Sequence, residues 1–276
     1  SGPPLLLLHG NPQTHYMWHS VAPEFAKHFT VIASDLRGYG ESSCPPATPN
    51  NVHYSKKRMA EDQALLMEHL GYRRFLVVSH DRGARTAHRL CIDYPDRVIK
   101  VAFLDIVPTL HMFETMTMRE AMGYHHWLFL AQPYDFPEKL ILAGQNGLLC
   151  KKFPTSTGGT SLHPDFPALP PFFHPDAVAD YTATFCREGN VRGMCEDYRA
   201  GARIDLDHDR ESRAKGERVK CDVLVLWGNK ARVGQWYNPV DVWKTYCDPS
   251  VNVTGYGVDA GHYIAEENPE QTLKYV

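Results

Sequence analysis

A polar turn with Asp81 at its centre follows an apolar run, residues 75–78, in which two of the four side chains are β-branched. The apolar run predicts a buried strand, and the composition after Ser79 is that of a helix. A strand that enters a helix through one tight turn holds the turn residue in a strained conformation. Its side chain is raised above the sheet, and the next backbone N–H groups face the same space. This turn therefore presents the Asp81 carboxylate for reaction.

Asp81 takes the central position of a Gly-x-Ser-x-Gly type of turn, where the usual nucleophile is a hydroxyl; here Ser79 precedes it and Gly83 follows it. A carboxylate is ionised at neutral pH, so it can attack carbon directly and form an ester that a second step hydrolyses. This residue type favours displacement at an sp³ carbon over cleavage of a substrate ester. The alternative is that Asp81 only caps the following helix. The turn alone leaves both interpretations open.

His262, near the end of the chain, is the candidate base for the hydrolytic step, and a base needs an acid that orients it. Two strand ends could supply that acid. Residues 228–232, after one predicted strand, contain no carboxylate, whereas Asp105 lies at the end of an earlier strand. Asp105 is therefore the predicted acid. The resulting order of nucleophile, acid and histidine along the chain is a known order for hydrolytic triads.

Two arginines follow the candidate nucleophile, Arg82 directly and Arg85 three residues later. On a regular helix both guanidinium groups can project near Asp81. Such a pair could bind an incoming carboxylate and hold its α-carbon in line for attack. The arginines therefore predict a small anionic substrate. The alternative is that one of them pairs with a structural carboxylate.

These side chains need a parallel sheet to position them. Strands alternate with helical segments, such as the amphipathic segment 55–70, and this alternation indicates parallel strands. The predicted strands are residues 5–8, 30–33, 75–78, 98–106, 221–228 and 251–256. Since ligands of open parallel sheets bind at the carboxyl ends of strands, His9, Asp81, Asp105 and His262 are expected at one edge.

The segment 109–217 differs in character: it is aromatic, rich in proline and helical in patches, without a convincing strand. We interpret it as a helical cap inserted into a sheet domain formed by residues 1–108 and 218–276. The first apolar run starts almost at residue 1 and resembles an internal strand. We therefore expect further strands upstream of it.

Composition excludes several classes of function. The formal net charge of the 276 residues is −3, which argues against nucleic acid or an anionic membrane as a partner. Seven cysteines without a Cys-x-x-Cys pair predict a reducing compartment, and we expect a cytoplasmic protein. The sequence contains no nucleotide-binding glycine motif and no pattern that requires a metal or another cofactor.

Motifs along most of the chain resemble those of the haloacetate dehalogenases, whose best-known members are the fluoroacetate dehalogenases, within the α/β-hydrolase superfamily. The most specific motif is His-Asp-Arg-Gly-x-Arg at residues 80–85. The matching residues are His9-Gly10-x-Pro12-Gln13, Asp35-x-Arg37-Gly38-Tyr39-Gly40, His80-Asp81-Arg82-Gly83-Ala84-Arg85, Leu104-Asp105-Ile106, His126-Trp127, Cys195-x-Asp197-Tyr198-Arg199-Ala200 and Gly261-His262. The resemblance implies an α/β-hydrolase fold: a mostly parallel central sheet flanked by helices, with an inserted helical cap.

The resemblance also implies a cofactor-independent reaction in which short 2-haloacids become 2-hydroxy acids through an aspartyl ester. The halide would be received by His126, Trp127 and Tyr198. Because His125 adjoins His126, the alternative is that His125 is the histidine that contacts the halide. Backbone N–H groups of Asn11 and Arg82 would form the oxyanion hole. The family often forms homodimers.

Two other functions stay open. Epoxide hydrolases use the same Asp, His and acid, but they usually have Trp after the nucleophile, where this chain has Arg82. A neutral epoxide would also leave the arginines without a role. The second alternative is a non-catalytic receptor on the same fold; such proteins often lose a triad member, and here all three candidates are present.

Overall fold

The computed structural model describes residues 2–133, 135–143 and 170–276. Six strands form one sheet in which every pair of neighbours is parallel, in the order β2-β1-β3-β4-β5-β6. The strands are β1 (Pro4–Leu8), β2 (Thr30–Ser34), β3 (Phe75–His80), β4 (Val98–Leu104), β5 (Asp222–Gly228) and β6 (Val253–Val258). The predicted parallel α/β architecture is confirmed.

The sheet is buried on both faces, which explains the continuous apolar runs in its central strands. Successive side chains of a strand point to opposite faces. Leu6 and Leu8 accordingly pack in one hydrophobic cluster, and Leu5 and Leu7 pack in another. Phe103 of β4 belongs to the first cluster and stacks on Trp243 at a ring distance of 4.0 Å.

Helices cover both faces of the sheet. Outside the segment between β4 and β5 they are α1 (Ala22–Phe25), α2 (Lys56–His69), α3 (Asp81–Asp93), α11 (Arg232–Trp236), α12 (Pro239–Lys244), α13 (Ile264–Glu267) and α14 (Pro269–Tyr275). The predicted helix at residues 55–70 matches α2, whose first turn is capped by the Ser55 hydroxyl accepting from the Arg58 N–H group at 3.3 Å.

Between β4 and β5 the described residues form helices and no strand. These helices are α4 (Thr109–Thr115), α5 (Met118–Gly123), α6 (His125–Leu130), α7 (Phe136–Ala143), α8 (Pro175–Phe185), α9 (Glu188–Gly201) and α10 (Ile204–Ala214). The division into a core and a cap at residues 109–217 stays a prediction, and residues 144–169 of that segment lie outside the described residues.

All six strands lie within two residues of their predicted bounds, and two of the differences affect the carboxyl edge of the sheet. The strand predicted at residues 98–106 ends at Leu104, because Asp105 turns away with a φ of +52°. The last strand is Val253–Val258, two residues later than the predicted 251–256. It brings the following Asp259–His262 loop to the carboxyl edge of the sheet, where β3 and β4 also end.

Candidate active site

The turn between β3 and α3 is tight and strained. Asp81 is the first residue of α3 and has a φ of +43°, which is uncommon for a residue with a side chain. Small residues make room for this turn: a Cβ added to Gly83 would lie 2.3 Å from the His9 carbonyl oxygen, and one on Gly10 would lie 2.7 Å from the Asp81 Cβ. The Ser79 hydroxyl donates to the Ala102 carbonyl at 2.9 Å, so this side chain is accommodated within the sheet.

The Asp81 carboxylate is 6% exposed and accepts a hydrogen bond on Oδ2 from the Asn11 N–H group at 3.0 Å. Burial opposes its charge, but the neighbouring His262 and His80 rings and the Arg82 and Arg85 guanidinium groups outweigh burial and lower the pKa of Asp81 to about 2. The carboxylate is therefore ionised at neutral pH. With Oδ2 held by Asn11, Oδ1 is the oxygen left to attack a ligand.

Asp105 and His262 form the second part of the site. His262 Nδ1 donates to Asp105 Oδ2 at 2.6 Å, and Asp105 Oδ1 accepts from the Gly228 N–H group at 3.1 Å. Burial raises the pKa of Asp105. Burial also opposes the charge of His262, but the hydrogen bond and the charge attraction to Asp105, with further attraction to Asp81 and Glu267, together outweigh burial and raise the pKa of His262 above its usual value. With Nδ1 bonded to Asp105, the ring presents Nε2 for proton transfer.

The loop that carries His262 is held from two sides. The His262 carbonyl accepts from His80 Nε2 at 2.8 Å. The Glu267 carboxylate accepts from the N–H groups of Gly261 at 2.5 Å and of Tyr263 at 2.9 Å. These contacts fix the loop on both flanks of the histidine, so the position of its ring is set by backbone contacts as well as by Asp105.

A cavity of about 440 Å³ opens above the turn. Its walls come from the helices α3, α6, α9 and α11 and from the loops after β1, β4, β5 and β6. The lining residues are Asn11, Pro12, Asp81, Arg85, Asp105, Tyr124, His126, Trp127, Tyr198, Lys230, Ala231, Arg232, Gln235, Gly261, His262, Tyr263 and Glu267. The cavity thus contains all three predicted triad residues, and its size falls within the roughly 300–1,000 Å³ of ligand pockets.

Arg85 lines this cavity although it is 4% exposed. Its Nη1 donates to the Val107 carbonyl at 3.2 Å and to the Thr109 hydroxyl at 3.0 Å, and its Nε is buried without a partner among the described residues. The guanidinium lies 4.5 Å from the Trp127 ring centre. A cation with only neutral partners beside a cavity is suited to an anionic ligand.

Arg82 does not line the cavity, which differs from the prediction that it shares a substrate carboxylate with Arg85. Its Nε and Nη2 donate to the two oxygens of Asp197, at 2.8 Å and 2.7 Å, and Nη2 also donates to the Asp197 carbonyl. Lys56 completes this buried ion cluster through a short contact with the Asp197 carboxylate. Arg82 is therefore the arginine that pairs with a fixed carboxylate, because α9 carries Asp197 to its guanidinium.

The three residues predicted to receive a halide lie together in the cavity wall. Tyr198 accepts on its hydroxyl from Asn11 Nδ2 at 3.3 Å, so its own proton is left to donate. Burial lowers the pKa of His126 to about 3, so the ring is neutral, and its Nδ1 has no partner among the described residues. The Trp127 indole N–H makes no hydrogen bond within the described part of the chain. His125, the alternative to His126, is exposed and does not line the cavity.

Sequence reasoning missed several residues of the site. Tyr124 stacks on Trp127 at a ring distance of 5.6 Å and lines the cavity; its spacing of three residues from Trp127 on one helical face was the available signal. Asp197 stood in a recognised motif, but nothing in the sequence paired it with Arg82. Arg232 and Lys230 also reach the cavity, from the segment after β5, where the sequence shows no carboxylate.

The second predicted oxyanion donor, the Arg82 N–H group, lies in the first turn of α3, where backbone N–H groups have no partner within the helix. Its role stays a prediction. Within residues 2–133, 135–143 and 170–276, no cluster of three or more His, Cys, Asp or Glu side chains could hold a metal ion. No helix of this described part is long and apolar enough to cross a membrane.

Comparison with known proteins gives matches over nearly the whole chain. A family model described as alpha/beta hydrolase fold matches residues 3–269. A fluoroacetate dehalogenase from Burkholderia sp is 38% identical over 99% of this chain and 86% of its own length. A soluble epoxide hydrolase from Corynebacterium sp. (strain C12) is 32% identical over 98% of this chain and 87% of its own. A solved alpha/beta hydrolase structure from Nostoc sp PCC 7120 is 45% identical, with a TM-score of 0.88 over 99% of this chain and 89% of that chain.

Proposed function

The chain belongs to the α/β-hydrolase family, and we propose that within it this protein is a hydrolytic dehalogenase that converts short 2-haloacids into 2-hydroxy acids and halide. The observation that carries the proposal is the position of Arg85 beside Asp81 in one cavity. A buried guanidinium without a fixed carboxylate partner gives the site affinity for a substrate carboxylate. The similarity to a fluoroacetate dehalogenase supports the same reaction.

In the first step Asp81 Oδ1 attacks the α-carbon from the side opposite the halogen. The new C–O bond forms as the carbon–halogen bond breaks, and the electron pair leaves with the halide. Arg85 holds the substrate carboxylate, which fixes the α-carbon relative to the nucleophile. His126, Trp127 and Tyr198 donate hydrogen bonds to the departing halide. These donors matter because the developing charge leaves in a partly dry cavity.

In the second step His262 takes a proton from water through Nε2, and the resulting hydroxide attacks the ester carbonyl of Asp81. The Asn11 N–H group, which already contacts Asp81 Oδ2, stabilises the oxyanion together with the Arg82 N–H group. Such a donor typically contributes about 3–4 kcal/mol. The imidazolium is stabilised by Asp105. The tetrahedral intermediate then breaks its bond to the substrate oxygen, which takes the proton from His262 and leaves as the hydroxyl of the 2-hydroxy acid. Asp81 loses its remaining proton to solvent and is again a carboxylate.

The experiment that tests this mechanism separates its two steps. We expect His262→Asn to react once with chloroacetate and to accumulate a carboxymethyl ester on Asp81, because the second step lacks its base. Peptide mass spectrometry locates the adduct. The matched control is the double variant Asp81→Asn/His262→Asn, which has the same neutralised base but no nucleophile and should remain unmodified. If Asp81 stays unmodified in a His262→Asn variant that is shown to be folded, the proposal is wrong.

Epoxide hydrolysis is the second candidate, favoured by two phenols in the cavity, Tyr124 and Tyr198. Both hydroxyls could donate a proton to an epoxide oxygen while Asp81 opens the ring. Burial raises the pKa of Tyr198 well above its usual value, so the group is protonated at neutral pH. Turnover of styrene oxide compared with chloroacetate decides between the two reactions. Arg85 has no role with a neutral epoxide, which is why we place this reaction second.

A further inference from the structure

The outer part of the cavity is larger than a two-carbon acid requires. The cavity measures about 440 Å³, and the partly or fully exposed lining residues that follow β5 and β6, Lys230, Arg232, Gln235 and Glu267, form its outer wall. The triad and Arg85 line the inner part. A haloacetate held by Arg85 would therefore leave the outer wall without contacts. The charged side chains of that wall indicate which additional charged group a longer substrate would carry.

Arg232 is the charged group of the outer wall that has no ion partner among the described residues. Its guanidinium lies 5.7 Å from the Tyr124 ring centre and 5.8 Å from that of Trp236. Aromatic rings hold a guanidinium in place without neutralising it. The group is close enough to the reaction centre that its charge contributes to the lowered pKa of His126.

The other charges of the outer wall are engaged. Lys230 Nζ pairs with the Asp259 carboxylate at 2.8 Å. Glu267 accepts from the backbone N–H groups of Gly261 and Tyr263, as described above. Lys230 is therefore paired with a carboxylate of the protein, and Glu267 binds the loop that carries His262. Arg232 is the cation that remains for a ligand.

Arg232 and Arg85 lie at the two ends of one aromatic wall. The Arg85 guanidinium packs on Trp127, the Trp127 ring stacks on Tyr124, and the Arg232 guanidinium packs on Tyr124. Both cations line the same cavity, and Asp81 lies in its inner part. A ligand with one carboxylate at Arg85 could thus direct a second anionic group toward Arg232.

We propose that Arg232 binds a second carboxylate of the substrate, so that the cavity takes small halogenated dicarboxylic acids of the 2-chlorosuccinate type. This inference rests on the proposed dehalogenase function and names its substrate class. The chemistry is unchanged: Asp81 Oδ1 forms the C–O bond and chloride leaves with the electron pair. Water then attacks the ester carbonyl, so its oxygen stays in Asp81 and 2-hydroxysuccinate leaves with the oxygen that Asp81 supplied. Arg232 contributes to binding and takes no part in bond making.

The test compares 2-chlorosuccinate with 2-chlorobutyrate, in which a methyl group replaces the second carboxylate. We expect the wild type to prefer 2-chlorosuccinate in kcat/KM, and Arg232→Gln to lower kcat/KM for this substrate by about 10- to 100-fold, as the loss of a charge-assisted contact does. The value for 2-chlorobutyrate should change by less than about threefold. Arg232→Lys keeps the charge and should retain part of the preference.

Arg119→Gln is the matched control. Arg119 also packs on Trp236, at 5.8 Å, but it is exposed and does not line the cavity, so this variant should retain the wild-type preference. An equal loss for both substrates in Arg232→Gln would assign this residue to long-range attraction of anions and overturn the proposal. A wild type without a preference for 2-chlorosuccinate would also overturn it. Chloroacetate serves as the reference: its turnover supports the dehalogenase function independently of either result.

Discussion

Arg82 and Arg85 lie one helical turn apart on α3, and both are almost fully buried, yet their surroundings differ completely. Arg82 faces the carboxylate of Asp197, with Lys56 as a further charged neighbour. Arg85 faces the cavity and contacts a carbonyl, a hydroxyl and the Trp127 ring. The first arginine forms an ion pair with a fixed carboxylate. The second forms no ion pair within the described residues, and Asp81 attracts it only from a longer distance.

The two pKa values reflect this difference. Burial opposes the charge of both groups, but Asp197 outweighs it for Arg82, whose pKa is raised. For Arg85 burial dominates, the neighbouring Arg82 adds repulsion, and the pKa falls to about 10. A buried cation with a partner stabilises the fold around it, whereas a buried cation without one is kept at a cost that a ligand anion can offset. The comparison predicts that Arg82 has a structural role and that Arg85 binds the ligand.

The largest expected effect is on stability and concerns Asp197. Asp197→Asn leaves Arg82 and Lys56 buried without a counter-charge, so we expect the free energy of unfolding to fall by about 3–5 kcal/mol. Urea denaturation followed by circular dichroism measures it. Glu24→Gln, which removes an exposed pair with Lys27, is the control and should cost less than about 1 kcal/mol. A similar small cost for Asp197→Asn would refute the structural role of the Arg82 pair.

Arg85 should give the opposite pattern. We expect Arg85→Gln to lower kcat/KM for chloroacetate by about 100-fold, equivalent to about 2.7 kcal/mol, because a charge-assisted contact to the carboxylate is lost. The free energy of unfolding should stay the same or rise, since an unpaired buried charge is removed. Steady-state kinetics and urea denaturation of one preparation measure both. A loss of stability as large as that of Asp197→Asn would remove the distinction between the two arginines.

Ligand binding tests the same difference between Arg82 and Arg85 through the stabilisation that a bound carboxylate gives. Glycolate, the product expected from haloacetates, should raise the free energy of unfolding of the wild type by about 2.7 kcal/mol at a concentration 100 times its Kd. Arg85→Gln should show little of this stabilisation at the same concentration. Thermal denaturation with and without glycolate tests it. Equal stabilisation of both proteins would place the carboxylate contact elsewhere.

The smallest expected effect concerns pH. Hydrolysis of the ester requires His262 without its second proton, so kcat should fall as the pH drops below the raised pKa of this residue. That pKa is raised by Asp105 and Asp81, which outweigh burial, and Arg85 is not among its causes. Arg85→Gln should therefore lower the rate without moving the acid limb. A shift of that limb in the pH–rate profile would show that Arg85 affects the pKa of His262.

The sequence by itself determined much of the fold and the positions of the triad. Apolar runs near residues 5–8, 75–78 and 221–228 predict strands because only buried parallel strands carry such continuous hydrophobicity. The carboxyl ends of those strands share one edge, so Asp81, Asp105 and His262 meet without any knowledge of the loops. The apolar pattern does not fix the strand ends, since the turn at Asp105 depends on a local backbone conformation with positive φ.

Only the tertiary structure decided which arginine faces the cavity. Arg82 and Arg85 have the same type, the same helix and equally suitable spacing from the nucleophile. Their roles separate because Asp197, 115 positions further along the chain than Arg82, packs against one and not the other. Arg232 likewise reaches the cavity only because the fold brings the segment after β5 to the same cavity as Asp81 and Arg85. Pairing between charges depends on distance through space and on burial, and the fold sets both.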